Sequence, residues 1–535
     1  MFRILVSDKL GADGLDLLEH APDVDFDVRT GLSEDELIEA IGEYDGLIIR
    51  SGTTVTESVL AAGERLKVVG RAGVGIDNVD VRAATKLGVV VLNTPSANTI
   101  ATAEHTMALL LASARNVALS HTAMADGRWE RADYVGTELH GKTLGVLGFG
   151  RVGRMVSERA HAFGMHIVAY DPFVPESVAR ETGAELLELD DVLATSDFVT
   201  LHMTLTNETQ HLINKSSLAK MKPGAILVNA ARGGLVDEAA VAEALDANQL
   251  RAFGTDVYSS EPPDSSNPLV GHAAVTHTPH LGASTEEAQR DVAVQVAEQV
   301  LAALRGDPIS GSVNVAKSGG DESDLVAPFV ELAEKIGRLQ MAMATGSIAS
   351  IEVEVQSSSA DELIRPVAAG ILKGLLDSVV AGRVNYVNAP VLAEERGIKI
   401  SRSVGVGESD YQNMLSCRVR WASGDVAEAN EERVVSGAVF GHTQARIVQI
   451  SGYAFEADPN GFVLLMLNND IPGVIGEVGT VLGRHHVNIA EWRLGRDEDR
   501  HEALSFINLD SEPDPAALEE LRSLPAVTKA ILVEL

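Results

Sequence analysis

The hexapeptide GFGRVG at residues 148–153 limits what this chain can fold into more than any other feature of its sequence. It follows the apolar run 143–147 and precedes a stretch with helical spacing, so its glycines stand where a strand turns into a helix. There, Gly148 permits a tight turn, Gly150 lets the backbone approach a pyrophosphate, and Gly153 allows close packing of helix on strand. The amides at the start of the helix would face the phosphates. The motif predicts a Rossmann nucleotide-binding domain.

An acidic residue selects the nucleotide. The strand-like run HIVAY at 166–170 delivers Asp171 about 20 residues after the glycines, where a carboxylate can accept hydrogen bonds from ribose hydroxyls and would repel a 2′-phosphate. We therefore predict NAD, and not NADP, as the cofactor. The predicted cofactor-binding residues in this part of the chain are Gly148, Gly150, Arg151, Val152, Gly153 and Asp171.

Alternating short apolar runs and helix-like stretches indicate two parallel α/β layers before residue 315. The helical run that starts at Ser284 could carry the chain back to the first lobe. We predict an α/β protein with a flavodoxin-like substrate domain, 1–98 plus 286–315, into which a Rossmann NAD domain, 99–285, is inserted.

The second half of the chain contains two further units. Residues 306–320 include Pro308 and a polar glycine-rich stretch, so this segment is predicted to be a linker. A mixed α+β domain is predicted over 316–455. Residues 460–535 alternate as βαββαβ, the ferredoxin-like arrangement.

Composition excludes several kinds of partner. The formal net charge of −34 argues against binding to nucleic acid or to anionic membranes. Apolar runs stop short of the roughly 20 residues that a membrane span needs, and no basic segment precedes an apolar signal core, so a cytoplasmic location is expected. The only cysteine, Cys417, excludes an intrachain disulfide and a multi-cysteine zinc site, and no metal is predicted.

Three polar residues follow successive predicted strands of the second layer. Arg232, Glu261 and His280 each lie just past a strand end, and the carboxyl ends of strands in an open α/β sheet are where ligands bind. An arginine fork suits a carboxylate. A histidine beside a carboxylate favours the imidazolium that can give a proton to a carbonyl oxygen. These three residues are the predicted catalytic set for hydride transfer to a carbonyl.

Five segments carry a resemblance to a known family: RAGVGIDNVD (71–80), GFGRVG (148–153), NAARGGLVDE (229–238), GTDVYSSEPP (254–263) and HTPHLGAST (277–285). Over roughly residues 1–315 the chain resembles the NAD-dependent D-2-hydroxyacid dehydrogenases. The resemblance implies that Arg232 binds substrate, that Glu261 pairs with His280, and that His280 is the proton donor. It adds to the nicotinamide side a set of residues from the same segments: Ala230, Ala231, Arg232, Asp256, His280, Gly282 and Ala283.

Two further segments, 48–53 and 126–139, resemble the branch of that family that oxidises 3-phospho-D-glycerate to 3-phosphooxypyruvate, the first step of L-serine biosynthesis. The resemblance implies a homodimer or homotetramer with Trp129 and Arg131 in a subunit contact. The expected substrate residues are Arg50, beside the phosphate, with Ser51, Gly75, Asn98 and Arg232. The family's usual His-x-Pro-Leu loop is His202-Met203-Thr204-Leu205 here, without the proline.

The C-terminal unit resembles an ACT domain, a module that senses small molecules, through residues 470–473 and 487–490. The resemblance implies L-serine as effector, held by Asp470 and Asn488, with Asn468 where a histidine or tyrosine is expected. Two such domains side by side would place serine at a dimer interface. The alternative is a dimerising module that binds nothing. Region 316–455 resembles the intervening domain of long-form members of the branch.

Two other functions stay open. One is an NAD-dependent dehydrogenase of the D-2-hydroxy acid type that acts on glyoxylate, glycerate or 2-hydroxyglutarate, and it would use the same catalytic residues. The other is a non-catalytic nucleotide-sensing regulator, against which the intact set of Arg232, Glu261 and His280 argues. Formate dehydrogenase is disfavoured because Glu261 stands where that enzyme has glutamine.

Overall fold

In the computed structural model the chain folds around four β-sheets. The structure describes residues 1–307, 309, 311–315, 323–380, 383–405, 411–422, 429–441, 443–497 and 499–535. Much of the predicted linker, including Pro308 and residues 316–320, lies outside the described residues. No helix in these described ranges is long and apolar enough to cross a membrane.

The first sheet belongs to the N-terminal lobe, here the substrate lobe. Its strands are β1 (Phe2–Val6), β2 (Val24–Val28), β3 (Gly46–Ile49), β4 (Val68–Arg71) and β5 (Val90–Asn93), and its helices are α1 (Ala12–Glu19), α2 (Glu34–Ile41), α3 (Glu57–Ala62) and α4 (Val81–Lys86). All neighbouring strands are parallel, in the order β2-β1-β3-β4-β5, which is the flavodoxin order. Ser33, Thr56 and Asp80 cap α2, α3 and α4 with side-chain oxygens, which fixes where these helices begin.

The second lobe is the cofactor lobe. Its helices before the sheet are α5 (Thr99–Ala114) and α6 (Val117–Ala125); then follow β6 (Thr143–Leu147), α7 (Arg151–Ala162), β7 (His166–Tyr170), α8 (Glu176–Glu181), β8 (Ala184–Leu186), α9 (Leu189–Thr195), β9 (Phe198–Leu201), α10 (Lys215–Lys220), β10 (Ala225–Asn229), a 3₁₀ turn (Gly233–Leu235), α11 (Glu238–Asp246), β11 (Leu250–Thr255) and β12 (Val275–His277). The parallel sheet has the order β12-β11-β10-β9-β6-β7-β8. Counted from β6, this contains the Rossmann order 3-2-1-4-5-6.

Helix α12 (Glu286–Arg305) returns the chain to the substrate lobe. A Cβ on Gly14 of α1 would lie 2.6 Å from the carbonyl oxygen of Ala293, so the two helices approach closely because Gly14 has no side chain. On the sheet side, Val296 and Val300 of α12 are fully buried in the same core as β1 and β4. After α12, the Val313 amide donates to the Val91 carbonyl at 2.8 Å, which adds a short segment to the edge of β5.

The third unit is the mixed α+β region. It contains α13 (Ser323–Ala342), β13 (Ser347–Gln356), α14 (Ala360–Leu376), α15 (Ala389–Glu395), β14 (Lys399–Val404), β15 (Met414–Ala422), β16 (Ala429–Phe440), β17 (Gln444–Ile450) and β18 (Tyr453–Ala457). Its sheet order is β14-β13-β15-β16-β17-β18, with only β13 and β14 parallel. Helices α13 and α14 cross closely at glycines; a Cβ on Gly370 would lie 2.8 Å from the Val330 carbonyl oxygen.

The C-terminal unit runs β19 (Phe462–Asn469), α16 (Val474–Arg484), β20 (Ile489–Asp497), β21 (Glu502–Leu509), α17 (Pro515–Ser523) and β22 (Val527–Glu534). Its antiparallel sheet has the order β20-β21-β19-β22, so the predicted βαββαβ fold is confirmed. One face of the sheet packs against α16 and α17. The other face, through Val463 and Phe506, joins the core of the third unit, so the two units share one hydrophobic core. The residue boundaries of the four domains stay a prediction.

Candidate active site

A cleft of about 220 Å³ lies between the substrate lobe and the carboxyl ends of the cofactor-lobe strands. It is lined by five loops and the start of two helices: Val74, Gly75, Ile76, Asp77, Asn98, Thr102, Val152, His202, Met203, Thr204, Ala230, Ala231, Arg232, Asp256, His280, Gly282 and Ala283. The structure therefore brings together ten of the residues predicted from sequence. Further residues line it that are not among the site residues predicted from sequence: Val74, Ile76, Asp77, Thr102 and the 202–204 loop.

The glycine loop has the shape that a dinucleotide needs. Gly148 has φ +95°, and a Cβ there would lie 2.7 Å from the backbone of His202, so this turn requires glycine. Gly150 differs: its φ of −73° suits any residue, and a Cβ would meet nothing within 4 Å. Protein packing therefore does not explain Gly150, whereas a pyrophosphate resting against the amino end of α7 does. The loop fits NAD.

Two substitutions distinguish a glycine that leaves room for the ligand from a glycine that the packing of the protein itself requires. We expect Gly150→Val to fold with an unchanged melting temperature and to weaken NADH binding at least about tenfold, or 1.4 kcal/mol. We expect Gly153→Val to destabilise the fold by about 1–3 kcal/mol, because its side chain would overlap the Gly148 carbonyl. Thermal melts and NADH fluorescence titrations measure both effects. Equal destabilisation by the two variants would contradict the assignment of Gly150.

Asp171 lies at the carboxyl end of β7, next to the glycine loop. Its carboxylate accepts a hydrogen bond from the Phe149 amide at 2.8 Å and another from the Phe173 amide at 2.9 Å. The side chain thus holds the turn while staying partly exposed. Of the next predicted residues, Val152 lines the cleft, whereas Arg151 is exposed and faces a separate groove along α7.

His280 and Glu261 form a close pair at the edge of the cleft. His280 Nδ1 lies 2.6 Å from Glu261 Oε2, and the Tyr258 amide donates to the other carboxylate oxygen at 3.1 Å. Burial alone would raise the pKa of Glu261, but the bonds from His280 and Tyr258 outweigh it and hold the pKa below its ordinary value. Glu261 therefore stays ionised at neutral pH. It fixes His280 with Nδ1–H toward the carboxylate and leaves Nε2 for a substrate.

Asp256 anchors the loop that carries His280. Its fully buried carboxylate accepts hydrogen bonds from the amides of Leu281 and Gly282, both at 2.7 Å, and from the Thr278 hydroxyl at 2.5 Å. His105 adds a contact at 3.2 Å. Burial would raise the pKa of Asp256, but these donors lower it, so the group is an ionised structural anchor. Asp256 sets the loop geometry and exposes little of its own surface to a ligand.

A second histidine lines the cleft but cannot replace His280. Burial lowers the pKa of His202 to about 3, so its imidazole is neutral at physiological pH. Its Nε2 lies 3.0 Å from the Thr200 hydroxyl. Because its imidazole is not protonated, His202 lines the cleft but does not serve as the proton donor.

Arg232 reaches from the cofactor lobe to the substrate lobe. Its Nε donates to Asp77 Oδ2 at 3.0 Å, and Nη1 donates to the Ala231 carbonyl at 2.7 Å. The guanidinium passes over Gly75, where any Cβ would overlap it. Gly75 is thus explained by the space that Arg232 occupies. The hydrogen bond from Arg232 to Asp77 thus holds the Arg232 guanidinium where a substrate carboxylate would bind.

Arg71 joins this positive cluster and was not assigned from sequence. Burial, followed by repulsion from Arg232, lowers its pKa to about 10, with Asp77 and Asp8 opposing and Arg50 adding to the repulsion. Its Nε is buried without a hydrogen-bond partner in the described structure. A buried guanidinium with an unused donor beside two other arginines indicates space for an anion. Arg71 opens the 71–80 segment, but neither residue type nor spacing reveals that its side chain points inward.

The remaining predicted residues divide into two groups. Asn98 lines the cleft at the start of α5. Arg50 and Ser51 are not among the described residues that line it: the Arg50 amide donates to Asp8 Oδ2 at 2.6 Å, and Ser51 is exposed. The predicted effector residues are separated: Asn468 and Asp470 lie at one end of β19, and Asn488 precedes β20 at the other end. Within the described residues, no three His, Cys, Asp or Glu side chains are grouped to hold a metal ion.

Family profiles match three parts of the chain. Residues 107–282 match the NAD-binding domain of D-isomer specific 2-hydroxyacid dehydrogenases, residues 325–451 the intervening domain of D-3-phosphoglycerate dehydrogenase, and residues 462–526 the ACT domain. The resemblances proposed from sequence are thereby confirmed, as is NAD as the cofactor. The ACT match assigns residues 462–526 of the C-terminal unit to a known domain family.

Curated relatives and solved structures extend the match. A D-3-phosphoglycerate dehydrogenase of Synechocystis is 40% identical over 100% of this chain and 95% of its own length, and that of Bacillus subtilis is 38% identical over the full length of both. The TT0316 protein from Thermus thermophilus, 36% identical, covers 58% of this chain and 99% of itself with a TM-score of 0.54. A D-lactate dehydrogenase from Aquifex aeolicus, solved with NAD and lactic acid, is 27% identical, with 57% and 96% covered and a TM-score of 0.52. The chain belongs to the D-3-phosphoglycerate dehydrogenases, an NAD-dependent branch of the D-2-hydroxyacid dehydrogenase family.

Proposed function

We propose that the chain catalyses the NAD-dependent oxidation of 3-phospho-D-glycerate to 3-phosphooxypyruvate, the first step of L-serine biosynthesis. The observation that carries the proposal is the cluster of Arg50, Arg71 and Arg232 beside the cleft. One guanidinium suffices for the carboxylate of any 2-hydroxy acid, so two more suit a substrate with a second anionic group. Full-length similarity to D-3-phosphoglycerate dehydrogenases supports the same substrate.

Each side chain has a role in this reaction. The glycine loop and Asp171 would hold NAD, which would supply the acceptor for the hydride that leaves C2 of the substrate. Arg232 holds the substrate carboxylate, while Arg71 and Arg50 face its phosphate. His280 Nε2 accepts the proton of the C2 hydroxyl, and Glu261 stabilises the imidazolium that results, through the 2.6 Å contact at Nδ1. In the reverse direction the same imidazolium returns the proton.

Steady-state assays with NADH test the substrate. We expect kcat/KM for 3-phosphooxypyruvate to exceed that for glyoxylate by at least about 10²-fold, because ion pairing to the phosphate adds about 3 kcal/mol. Arg71→Gln should remove most of this preference while leaving the glyoxylate rate nearly unchanged. If the unaltered chain reduces glyoxylate, or the 2-oxo acids that correspond to glycerate and 2-hydroxyglutarate, more efficiently than 3-phosphooxypyruvate, the phosphorylated substrate is wrong.

We also propose that L-serine binds the C-terminal unit. Asn468 and Asn488 are separated by nearly the length of β19, roughly 20 Å at 3.3 Å per residue, so a site using both needs two copies of the chain. Asp470 pairs with Arg496 at 2.6 Å, and Asn488 donates to Asp510 at 2.6 Å. Calorimetry with L-serine on the full chain tests this. If L-serine releases or absorbs heat on binding and Asp470→Ala abolishes that heat, the site is supported. If no heat is measured at millimolar serine, a purely dimerising module is favoured.

We propose a homodimer or homotetramer located in the cytoplasm, without nucleic-acid or membrane partners. Two apolar side chains of segment 126–139 support the assembly: Trp129 is 77% exposed and Val135 is 70% exposed in the single chain. Exposed aromatic surface of this kind is typical of a protein–protein contact. Light scattering should give twice or four times the chain mass, and Trp129→Glu should lower it.

A further inference from the structure

A second cavity, of about 570 Å³, lies where the substrate lobe meets the third unit. Thr85 of α4 and Asn314 line one side. Arg365 of α14 and Arg402 of β14 line the other, and the ring of Tyr386 forms part of the wall. No residue assigned to the active site lines this cavity, so it is a separate feature of the molecule.

The cavity is positively charged in a strongly acidic protein. Two guanidinium groups line it, whereas none of the described residues that line it is an aspartate or glutamate. This absence stands out because the whole chain has a formal net charge of −34. Across the described ranges, Arg365 and Arg402 form no ion pair, although acidic side chains pair with many other arginines. Both cations are available to an anion.

The remaining lining is largely apolar, and its aromatic side chain is held by several contacts. Ile364, Val387 and Val391 supply aliphatic surface beside the Tyr386 ring. The Tyr386 hydroxyl donates to the buried carboxylate of Glu334, which also binds Lys373 Nζ at 2.6 Å. Lys373 lies 4.6 Å from the centre of the ring. These contacts fix Tyr386 in place, so the wall exists before a ligand arrives.

Two contacts join the units at residues that neighbour the lining residues Thr85 and Tyr386 in sequence. Lys86 at the end of α4 pairs with Glu395 of α15 at 2.9 Å, and Asn385 donates to the Gly88 carbonyl at 2.7 Å. The cavity is therefore a gap within a specific junction. Helix α4 begins after Asp80, which closes the 71–80 segment carrying Arg71 and Asp77. The junction thus connects directly to the substrate side of the active site.

We propose that this cavity binds a small organic anion, a phosphate or carboxylate on an apolar skeleton, which bridges the substrate lobe and the third unit. Arg365 and Arg402 pair with the anionic group, and the skeleton packs against Tyr386 and the aliphatic wall.

Calorimetry on the full chain with phenyl phosphate and inorganic phosphate tests the proposal. All titrations use chains that also carry Arg71→Gln, so that binding of the phosphates to the arginine cluster of the active site contributes least to the measured heat. We expect phenyl phosphate to bind roughly tenfold more tightly than inorganic phosphate, because its ring buries apolar surface. Arg365→Gln with Arg402→Gln should weaken phenyl phosphate binding at least tenfold. The matched control is Arg396→Gln, an exposed arginine of the same unit that lies outside the cavity; it should change nothing.

The proposed site would be wrong if phenyl phosphate and inorganic phosphate bound with equal affinity, or if the double variant bound phenyl phosphate as tightly as the chain with both arginines. Amide hydrogen exchange tests the bridging role independently. Phenyl phosphate should slow exchange in segments 85–89 and 385–395 of the Arg396→Gln control and leave the double variant unchanged. Protection confined to the active-site loops in both variants would show that the anion binds elsewhere. Equal melting temperatures for the two variants establish that both are folded.

Discussion

Replacing His280 with alanine is expected to lower kcat by about 10²–10⁴-fold in both directions of the reaction, which is the usual contribution of a positioned acid or base. The affinity for NADH should hardly change. The glycine loop that would hold the cofactor is formed by other residues, and the His280 loop is anchored independently through Asp256. Single-turnover rates and NADH titrations measure the two quantities separately.

Glu261→Gln is the companion variant. The amide retains a hydrogen bond to Nδ1 but cannot stabilise an imidazolium, so we expect a loss of kcat that is smaller than for His280→Ala. Because the pKa of Glu261 is lowered in the fold, its ionised form adds stability above its unfolded-state pKa, and that stability is lost as pH falls through the lowered value. Glu261 thus remains charged across the neutral range, and the variant should differ from the parent chain throughout it.

The control for both variants is His166→Ala. His166 is exposed at the opposite, amino end of β7, so its loss should leave kcat and NADH affinity unchanged. An NADH affinity that falls in parallel with kcat for His280→Ala would show that the histidine supports the cofactor site. A kcat that stays within tenfold would assign the proton transfer to another group.

The cofactor site was predictable from sequence because its determinants are local. Gly148, Gly150 and Gly153 lie within one strand-to-helix turn, and Asp171 ends the next strand, so chain spacing alone brings them together. The set of Arg232, Glu261 and His280 needed a further assumption, that the strands are neighbours in one sheet. The order β10-β11-β12 supplies that proximity.

Residues that act across the lobes could not be found in this way. Arg71 and Asp77 face Arg232 only because α12 folds back and places the two lobes on either side of the cleft. No local periodicity encodes that approach. The same limit applies to the shared core of the third and C-terminal units: the pattern of β19 indicates two buried faces, but not that Val463 packs against another unit.

The residue at the centre of that interlobe contact gives the second large effect. Arg232→Gln is expected to lower kcat/KM on the order of 10²–10³-fold, or about 3–4 kcal/mol, the usual cost of removing one partner from a hydrogen-bonded charge pair. Both KM and kcat should change, because the fork holds the substrate carboxylate in the ground state and as charge develops on the adjacent carbonyl oxygen. Arg232→Lys should recover only part of the loss, since an ammonium keeps the charge without the bidentate geometry.

Asp77→Asn decides whether Arg232 acts on the substrate or only ties the lobes together. In the structure Asp77 Oδ2 accepts a hydrogen bond from Arg232 Nε at 3.0 Å. The Asp77 carboxylate thus takes the position at the guanidinium that a substrate carboxylate would take. If Arg232 binds substrate, removing the competing charge leaves the fork intact, and kcat/KM should change by less than tenfold. If the ion pair serves mainly to hold the lobes, Asp77→Asn should cost as much as Arg232→Gln. The experiment measures kcat/KM of both variants with the same substrate, and NADH affinity, which should not change, serves as the reference. The two roles are separated because only a substrate-binding Arg232 predicts that the two variants lose unequal amounts of kcat/KM.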